Sequence, residues 1–339
     1  MKRPLARLGH YFNKPSRRWR VYVLLAVVLY FISINQVIRV RPDHAFVALL
    51  VLATLLGKEK GRRFLIDWSP FIVFWTAYDM MRGVADSVRG VINVAVPYRV
   101  ELTLFGPLFG GQIPCFFFQQ WQQSLGSSPL RQLLDASGGL FYTLHFGLPI
   151  VLGWYFWHTK DDRRLFYLFV GTLTLLNFSA LATFAAYPAA PPWYVYAHGF
   201  GQPAKTSFWG MGAGGLINVD RMLGTKFFTT LWGGFNPNHF AAIPSLHGAY
   251  PVVIALFAHK GLRWPAPLVA LYPLGVWFSA VYLNQHYIID LLIGTGYVVI
   301  AYAVMSRFLM PKFIEPWLAQ VDAGGAPEGQ GSGSPDRNG

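Results

Sequence analysis

Two short stretches in the last third of the chain carry residue types able to do covalent chemistry. In Asn284-Gln285-His286-Tyr287-Ile288-Ile289-Asp290 an imidazole and a carboxylate stand four residues apart, a spacing that puts both on one face of a helix. A carboxylate so placed accepts the Nδ1 proton of His286 and leaves Nε2 with a lone pair for an electrophile. The second stretch is Phe240-Ala241-Ala242-Ile243-Pro244-Ser245-Leu246-His247-Gly248-Ala249-Tyr250. It opens an apolar run, and Pro244 suits the first helical turn. Ser245, His247 and Gly248 would then present a hydroxyl, an imidazole and an open backbone N–H at a helix N-terminus, where the dipole draws an anion such as phosphate. A histidine near a helix end is more often structural than catalytic, so neither stretch speaks alone.

The elements that must hold these residues are membrane helices. Of 339 residues, 54% are hydrophobic and 13% charged, too apolar for an ordinary soluble domain. Eight runs with little or no charge recur: Val21 to Ile38, His44 to Gly57, Phe64 to Met81, Gly138 to His158, Leu165 to Ala186, Ile243 to Ala258, Ala266 to Leu283 and Ile288 to Ser306. Most approach the roughly 20 residues that cross the hydrocarbon as helix; His44 to Gly57 is short and reads as re-entrant or as extended by its flanks. The expected architecture is all-α, a polytopic bundle of about eight spans. A long basic leader before a full-length run predicts a retained first helix rather than a cleaved signal.

The net charge of +13 is explained without nucleic acid. With the N-terminus in the cytoplasm and sides alternating, the leader, three short turns and the tail beyond Met305 hold 19 of the 28 Lys and Arg, as the positive-inside rule requires. Both termini are then cytoplasmic, and the His247 and His286 stretches both fall at outer ends of helices running the same way. The expected divisions are a leader over 1–20, two membrane segments over 21–63, a catalytic membrane domain over 64–310 and a tail over 311–339, disordered at its Gly- and Pro-rich end. Two long outer connections, Arg82 to Ser137 and Tyr187 to Ala242, are expected to be partly folded and to cover something; Phe116 to Gln123 within the first suits an interfacial amphipathic helix. The single cysteine, Cys115, has no partner for a disulfide and reads as a packing residue.

A Pro-Ser-x-His-Gly element followed some forty residues later by His-x-x-x-Asp resembles the type-2 phosphatidic acid phosphatase superfamily. The resemblance implies a six-helix catalytic core and phosphoryl transfer without metal or other cofactor, with His286 as nucleophile, Asp290 orienting it and His247 as general acid. Pro244-Ser245-Leu246-His247, Trp277 and Tyr282 ahead of His286-Tyr287-x-x-Asp290, and Ala190-Pro191-Pro192-Trp193-Tyr194 look like the inositol phosphorylceramide synthase branch. That branch implies transfer of a phosphoinositol or related head group between lipids through a phosphohistidine on the extracytoplasmic face of a membrane, expected to be a bacterial plasma membrane. The partners so implied are a lipid phosphodiester or phosphomonoester donor and a lipid alcohol or water acceptor. Water as acceptor makes the same site a lipid phosphate phosphatase.

The chain also departs from these patterns. Where the phosphatases have Ser-Arg, Ser279 is followed by Ala280, and Gln285 stands where the synthases commonly have His. A replacement cation is offered by Tyr78-Asp79-Met80-Met81-Arg82-Gly83 at the outer end of the third run: Arg82 could pair bidentately with phosphate while Asp79 holds a hydroxyl or Arg82 itself. The same pair also reads as an interfacial anchor. Lys205 and Arg221 in the second outer connection are weaker cations. His145 reads first as structural and second as part of a head-group pocket, and Trp193 and Tyr194 as a membrane-belt anchor or an aromatic wall for substrate. A transporter would spread charge through the depth of several helices; here the charges gather at one face, with Asp67 the exception.

Overall fold

The computed structural model describes residues 16–37, 42–88, 90–160, 162–203, 215–230 and 238–324. Over its described residues each of the eight apolar runs is mainly helical, because in a hydrocarbon setting the backbone must satisfy its own N–H and C=O groups. In chain order the helices are α1 (Arg17–Val37), α2 (Pro42–Ala53), α3 (Lys58–Val88), α4 (Ala95–Phe105), α5 (Pro114–Leu125), α6 (Pro129–Trp154), α7 (Arg163–Ala186), α8 (Pro192–His198), α9 (Leu216–Leu223), α10 (Leu246–Phe257), α11 (Ala266–Tyr282), α12 (Ile288–Val304) and α13 (Glu315–Gly324). Among the described residues, β pairing is confined to two isolated parallel bridges.

By length and composition, α7 and the continuous helix Ile288–Gln320 can cross a membrane. Two bent pairs, α4 with α5 and the two halves of α6 with its continuation to Lys160, bring the number to four if each is one span. The count of about eight is therefore not reproduced, since α10, α11 and α2 are each shorter than a full crossing. The break in α6 falls after His145, where Pro149 lacks the N–H for that carbonyl and its ring crowds it.

Four helices form the frame of the site. Helices α10 and α12 start side by side and run away together, with α7 and α11 packed against them. Two glycines permit the closeness of α10 and α12. A Cβ on Gly248 would stand 2.7 Å from Leu291 Cα, and one on Gly294 would stand 2.3 Å from the Ser245 carbonyl oxygen. A backbone bond from Ser245 N–H to Asp290 O, 3.1 Å, fixes the register of the pair. Between α7 and α10, the buried Tyr250 hydroxyl donates to Asn177 Oδ1 at 2.7 Å, and the core around it is Phe166, Phe169, Leu173, Val253 and Phe257.

At the opposite end Asp67, 2% exposed, finds its explanation. Its carboxylate accepts Trp157 Nε1 at 2.7 Å and the Tyr167 hydroxyl, with Arg63 Nε 3.4 Å away. It ties α3 to α6 and α7, far from the chemistry.

Over their described residues the two long connections, 82–137 and 187–242, are partly folded, as expected. The Gln- and aromatic-rich stretch forms α5, which packs with α4 over the turn between α11 and α12. Residues 93, 189 and 241 lie in a three-segment parallel ladder, in which Ala190 N–H donates to Asn93 O and Ala242 N–H to Ala189 O. The ladder leads the chain into the His247 stretch.

Candidate active site

The turn that carries His286 is tight because Asn284 adopts a left-handed conformation, φ +60°, one that Asn tolerates better than most residues. The turn's Gln285 and His286 N–H groups both donate to Ala280 O, at 2.8 and 3.2 Å. Ala280 itself is fully buried, so the position that bears arginine in the phosphatases has been given over to packing and to holding the turn.

His286 is 6% exposed and Asp290 fully buried. Their Nδ1 and Oδ2 atoms are 3.3 Å apart, and the same Oδ2 accepts Tyr287 N–H at 3.1 Å. Asp290 Oδ2 already acts as an acceptor for Tyr287 N–H, and the same role toward His286 assigns the ring proton to Nδ1 and the lone pair to Nε2. His286 lies in the connection between α11 and α12, and burial holds its imidazolium pKa down to about 3. The ring is neutral at physiological pH.

His247 stands in the first turn of α10 with Nδ1 3.0 Å from His286 Nε2. Its ring is stacked on Tyr142, centroids 4.1 Å apart and 8° from parallel, while His145 lies against it at 3.9 Å. Nδ1 of His145, 2% exposed, donates to the Tyr142 carbonyl. Four imidazoles, those of His145, His239, His247 and His286, thus line one cavity of about 90 Å³, whose wall also includes Tyr78, Trp193, Asn238, Tyr250 and Gln285. No Lys or Arg among the described residues lines it.

The other expected residues divide. Trp193 lines the cavity. Tyr194 instead packs with Ile92, Val94 and Phe240 and donates its hydroxyl to Gly201 O at 2.9 Å. Ser245, fully buried, is the N-cap of α10 and its Oγ accepts Gly248 N–H at 3.0 Å. The backbone N–H read as open for phosphate is therefore occupied, and Gly248 serves close helix approach. Pro244 lies before this cap rather than in the first helical turn. The side chains of Asp79 and Arg82 lie outside the described residues, although α3 runs through them; Lys205 lies outside as well. Arg221 bonds Asn218 on α9 and does not line the cavity. Trp277 Nε1 donates to Gly248 O at 3.1 Å, and the Tyr282 hydroxyl to Asp135 at 2.7 Å, so both support the site from behind.

The sequence reading missed His239, Asn238 and Gln285 as wall residues. Asn238 and His239 stand just upstream of the stretch beginning at Phe240, and their position beside the ladder was the available signal.

A fold in which the first turn of one helix and the approach to a parallel one bring together two histidines and a carboxylate defines a class. The PAP2 superfamily model matches residues 116–304, and the chain belongs to that superfamily. It is a membrane phosphotransferase of the inositol phosphorylceramide synthase-like branch. It is 30% identical to the phosphoinositol dihydroceramide synthase of Bacteroides thetaiotaomicron over 302 residues, 87% of this chain and 94% of that one. It is 26% identical to the inositol phosphorylceramide synthase catalytic subunit of Saccharomyces cerevisiae over 290 residues, 84% and 67% of the two chains. With the inositol phosphorylceramide synthase of Candida albicans the identity is 27% over 303 residues, 86% and 58% of the two. No solved structure matches the chain.

Proposed function

We propose that the protein moves a phosphoinositol head group from a lipid phosphodiester to the hydroxyl of a ceramide-type lipid through a phosphohistidine on His286. The observation that carries this reading is the aligned trio, Asp290 Oδ2 to His286 Nδ1 at 3.3 Å and His286 Nε2 to His247 Nδ1 at 3.0 Å. It is supported by the likeness to a synthase over nearly the whole of both chains.

In the first step Nε2 of His286 attacks phosphorus, the phosphorus–oxygen bond to the donor lipid breaks, and His247 gives its proton to the departing alkoxide. The positive charge that grows on His286 is offset by Asp290, which also holds the tautomer. In the second step His247 takes the proton of the acceptor hydroxyl, whose oxygen attacks phosphorus and displaces Nε2. One phosphodiester is consumed and one formed, so the exchange needs no external energy source. A diester carries one negative charge where a monoester carries up to two, and a wall whose described residues include no Lys or Arg suits the diester. Arg82, with Asp79, remains our candidate for an added cation on the phosphoryl oxygens, and His145 and Trp193 for the head-group wall. The concentration of Lys and Arg away from the site end supports an extracytoplasmic active site.

The test is incubation of purified protein with phosphatidylinositol and ceramide or dihydroceramide, with mass spectrometry of all products. A new inositol-phosphate sphingolipid that His286→Ala abolishes is expected. Free phosphate released from a phosphomonoester, with no transfer product, would make the protein a phosphatase. Retention of a tenth of wild-type turnover by His286→Ala would remove it as nucleophile.

A further inference from the structure

The helix that carries Asp290 opens with a capping box in which the Asp290 side chain accepts the N–H of the N-cap residue Tyr287. The N–H groups of its first two helical residues, both isoleucines, still need acceptors from elsewhere. The orphan donors are satisfied by a residue far away in sequence. Glu101, fully buried on α4, accepts Ile288 N–H through Oε1 at 2.9 Å and Ile289 N–H through Oε2 at 3.1 Å. Three further bonds from the same outer hairpin hold the turn that leads into α12. Cys115 Sγ donates to His286 O at 3.1 Å, and Gln119 and Gln122 donate to Tyr282 O at 3.1 and 2.6 Å. A buried carboxylate is costly unless its hydrogen bonds are made, and these are directed at Ile288 and Ile289, two of the three residues between His286 and Asp290. Glu101 also lies upstream of the part of the chain that matches the superfamily model, 116–304.

We infer that Glu101 is a positioning residue for the transfer reaction, a carboxylate cap supplied by α4 that sets the angle of α12 and with it the His286–Asp290 pair. The inference rests on His286 being the nucleophile. Glu101 touches neither substrate nor the reacting atoms, and its effect belongs on the chemical step.

Burial, with the charge of Asp290 adding to it and the two N–H bonds opposing, pushes the Glu101 carboxyl up to about 7. The titratable groups facing it are Asp290 and Tyr287 at the start of α12 and Cys115 on α5, with Tyr98 on its own helix beside Tyr287. As pH falls through 7 the carboxyl takes a proton, one of its acceptor sites becomes a donor, and the bidentate cap is lost.

The experiment compares wild type, Glu101→Gln and Glu101→Asp by single-turnover labelling of His286 from head-group-labelled phosphatidylinositol, by steady-state kinetics and by thermal unfolding. Gln keeps one acceptor oxygen and turns a donor toward the second N–H. A misplacement of the reacting atoms on the scale of 1 Å costs on the order of 10²-fold in rate, so the labelling rate and kcat of Glu101→Gln should fall by about that factor. KM for either lipid should stay within about threefold, and the acid limb near pH 7 should vanish. Glu101→Asp, which keeps the charge, should be the faster variant. Wild-type labelling by Glu101→Gln, or equal losses in both variants that track a fall in thermal stability, would overturn the inference alone. Failure of wild type to label at His286 would overturn the nucleophile assignment and this inference with it.

Discussion

Gly294→Ala tests whether the chemistry depends on how closely α10 and α12 approach. In the native packing a Cβ at 294 would sit 2.3 Å from the Ser245 carbonyl oxygen, and ordinary contact begins near 3.4 Å. The obstacle is backbone at the cap of a helix rather than the end of a flexible side chain, so the helices must part by roughly 1 Å. That shift falls two residues from His247, whose Nδ1 is 3.0 Å from His286 Nε2. A displacement of this size costs on the order of 10²-fold in rate, or about 2.7 kcal/mol in activation free energy. Overpacking lowers stability by a further 1–3 kcal/mol or so. The assay is phosphoinositol transfer at saturating lipid, run beside thermal unfolding in detergent. Wild-type kcat in a folded Gly294→Ala protein would refute the claim that the close approach sets the nucleophile and acid.

Two other outcomes follow from buried groups. Asp67→Ala strands Trp157 Nε1 and the Tyr167 hydroxyl, which should lower unfolding stability by about 1–3 kcal/mol while kcat/KM stays within about twofold, since this network sits at the opposite end from the cavity; a large loss of kcat/KM at unchanged stability would contradict that assignment. Because burial holds His286 near 3, its free base is fully populated from pH 5 upward, and a kinetic limb near 6.5 assigned to His286 by imidazole 15N titration would contradict the geometry. The sign for stability is opposite to that of a salt-bridged histidine: the unfolded chain takes up a proton below its ordinary value of 6.5 and the folded chain does not until about 3, so the folded state loses stability as pH falls through that window.

How much of this was legible in the sequence depends on the distance over which each interaction acts. The His286–Asp290 pair could be read because four residues on a helix guarantee one face. His247 could be read because it opens an apolar run, and the all-helical architecture because long uncharged runs admit little else. The number of crossings could not, since uncharged length alone does not show where a helix begins or bends: α10 starts only after its Ser245 cap and α11 after Pro265, and α6 bends just ahead of Pro149. Ser245 and Gly248 were read as facing substrate because a helix N-terminus offers free N–H groups; the structure uses the serine itself to satisfy one of them. Glu101 was illegible for the opposite reason. Its partners are nearly two hundred residues away, and the only local sign is a pair of isoleucines, Ile288 and Ile289, whose first-turn N–H groups have no side-chain acceptor nearby in sequence.

The bond between His247 and His286 has a consequence for which molecules can be turned over. In the structure His286 Nε2 and His247 Nδ1, the proposed nucleophile and acid, satisfy each other. For in-line transfer, a near-attack distance, a phosphorus–oxygen bond and a hydrogen bond must fit between those nitrogens, roughly 7 Å in all. The two rings must therefore part by more than the length of their present separation before phosphorus can enter. A lone water or a tail-less inositol phosphate brings little binding energy to that opening, whereas a lipid contributes the burial of its chains, remote from the reacting centre. On the proposed mechanism the mutual bond is a threshold that selects by ligand size and greasiness, and it disfavours hydrolysis when no lipid is bound.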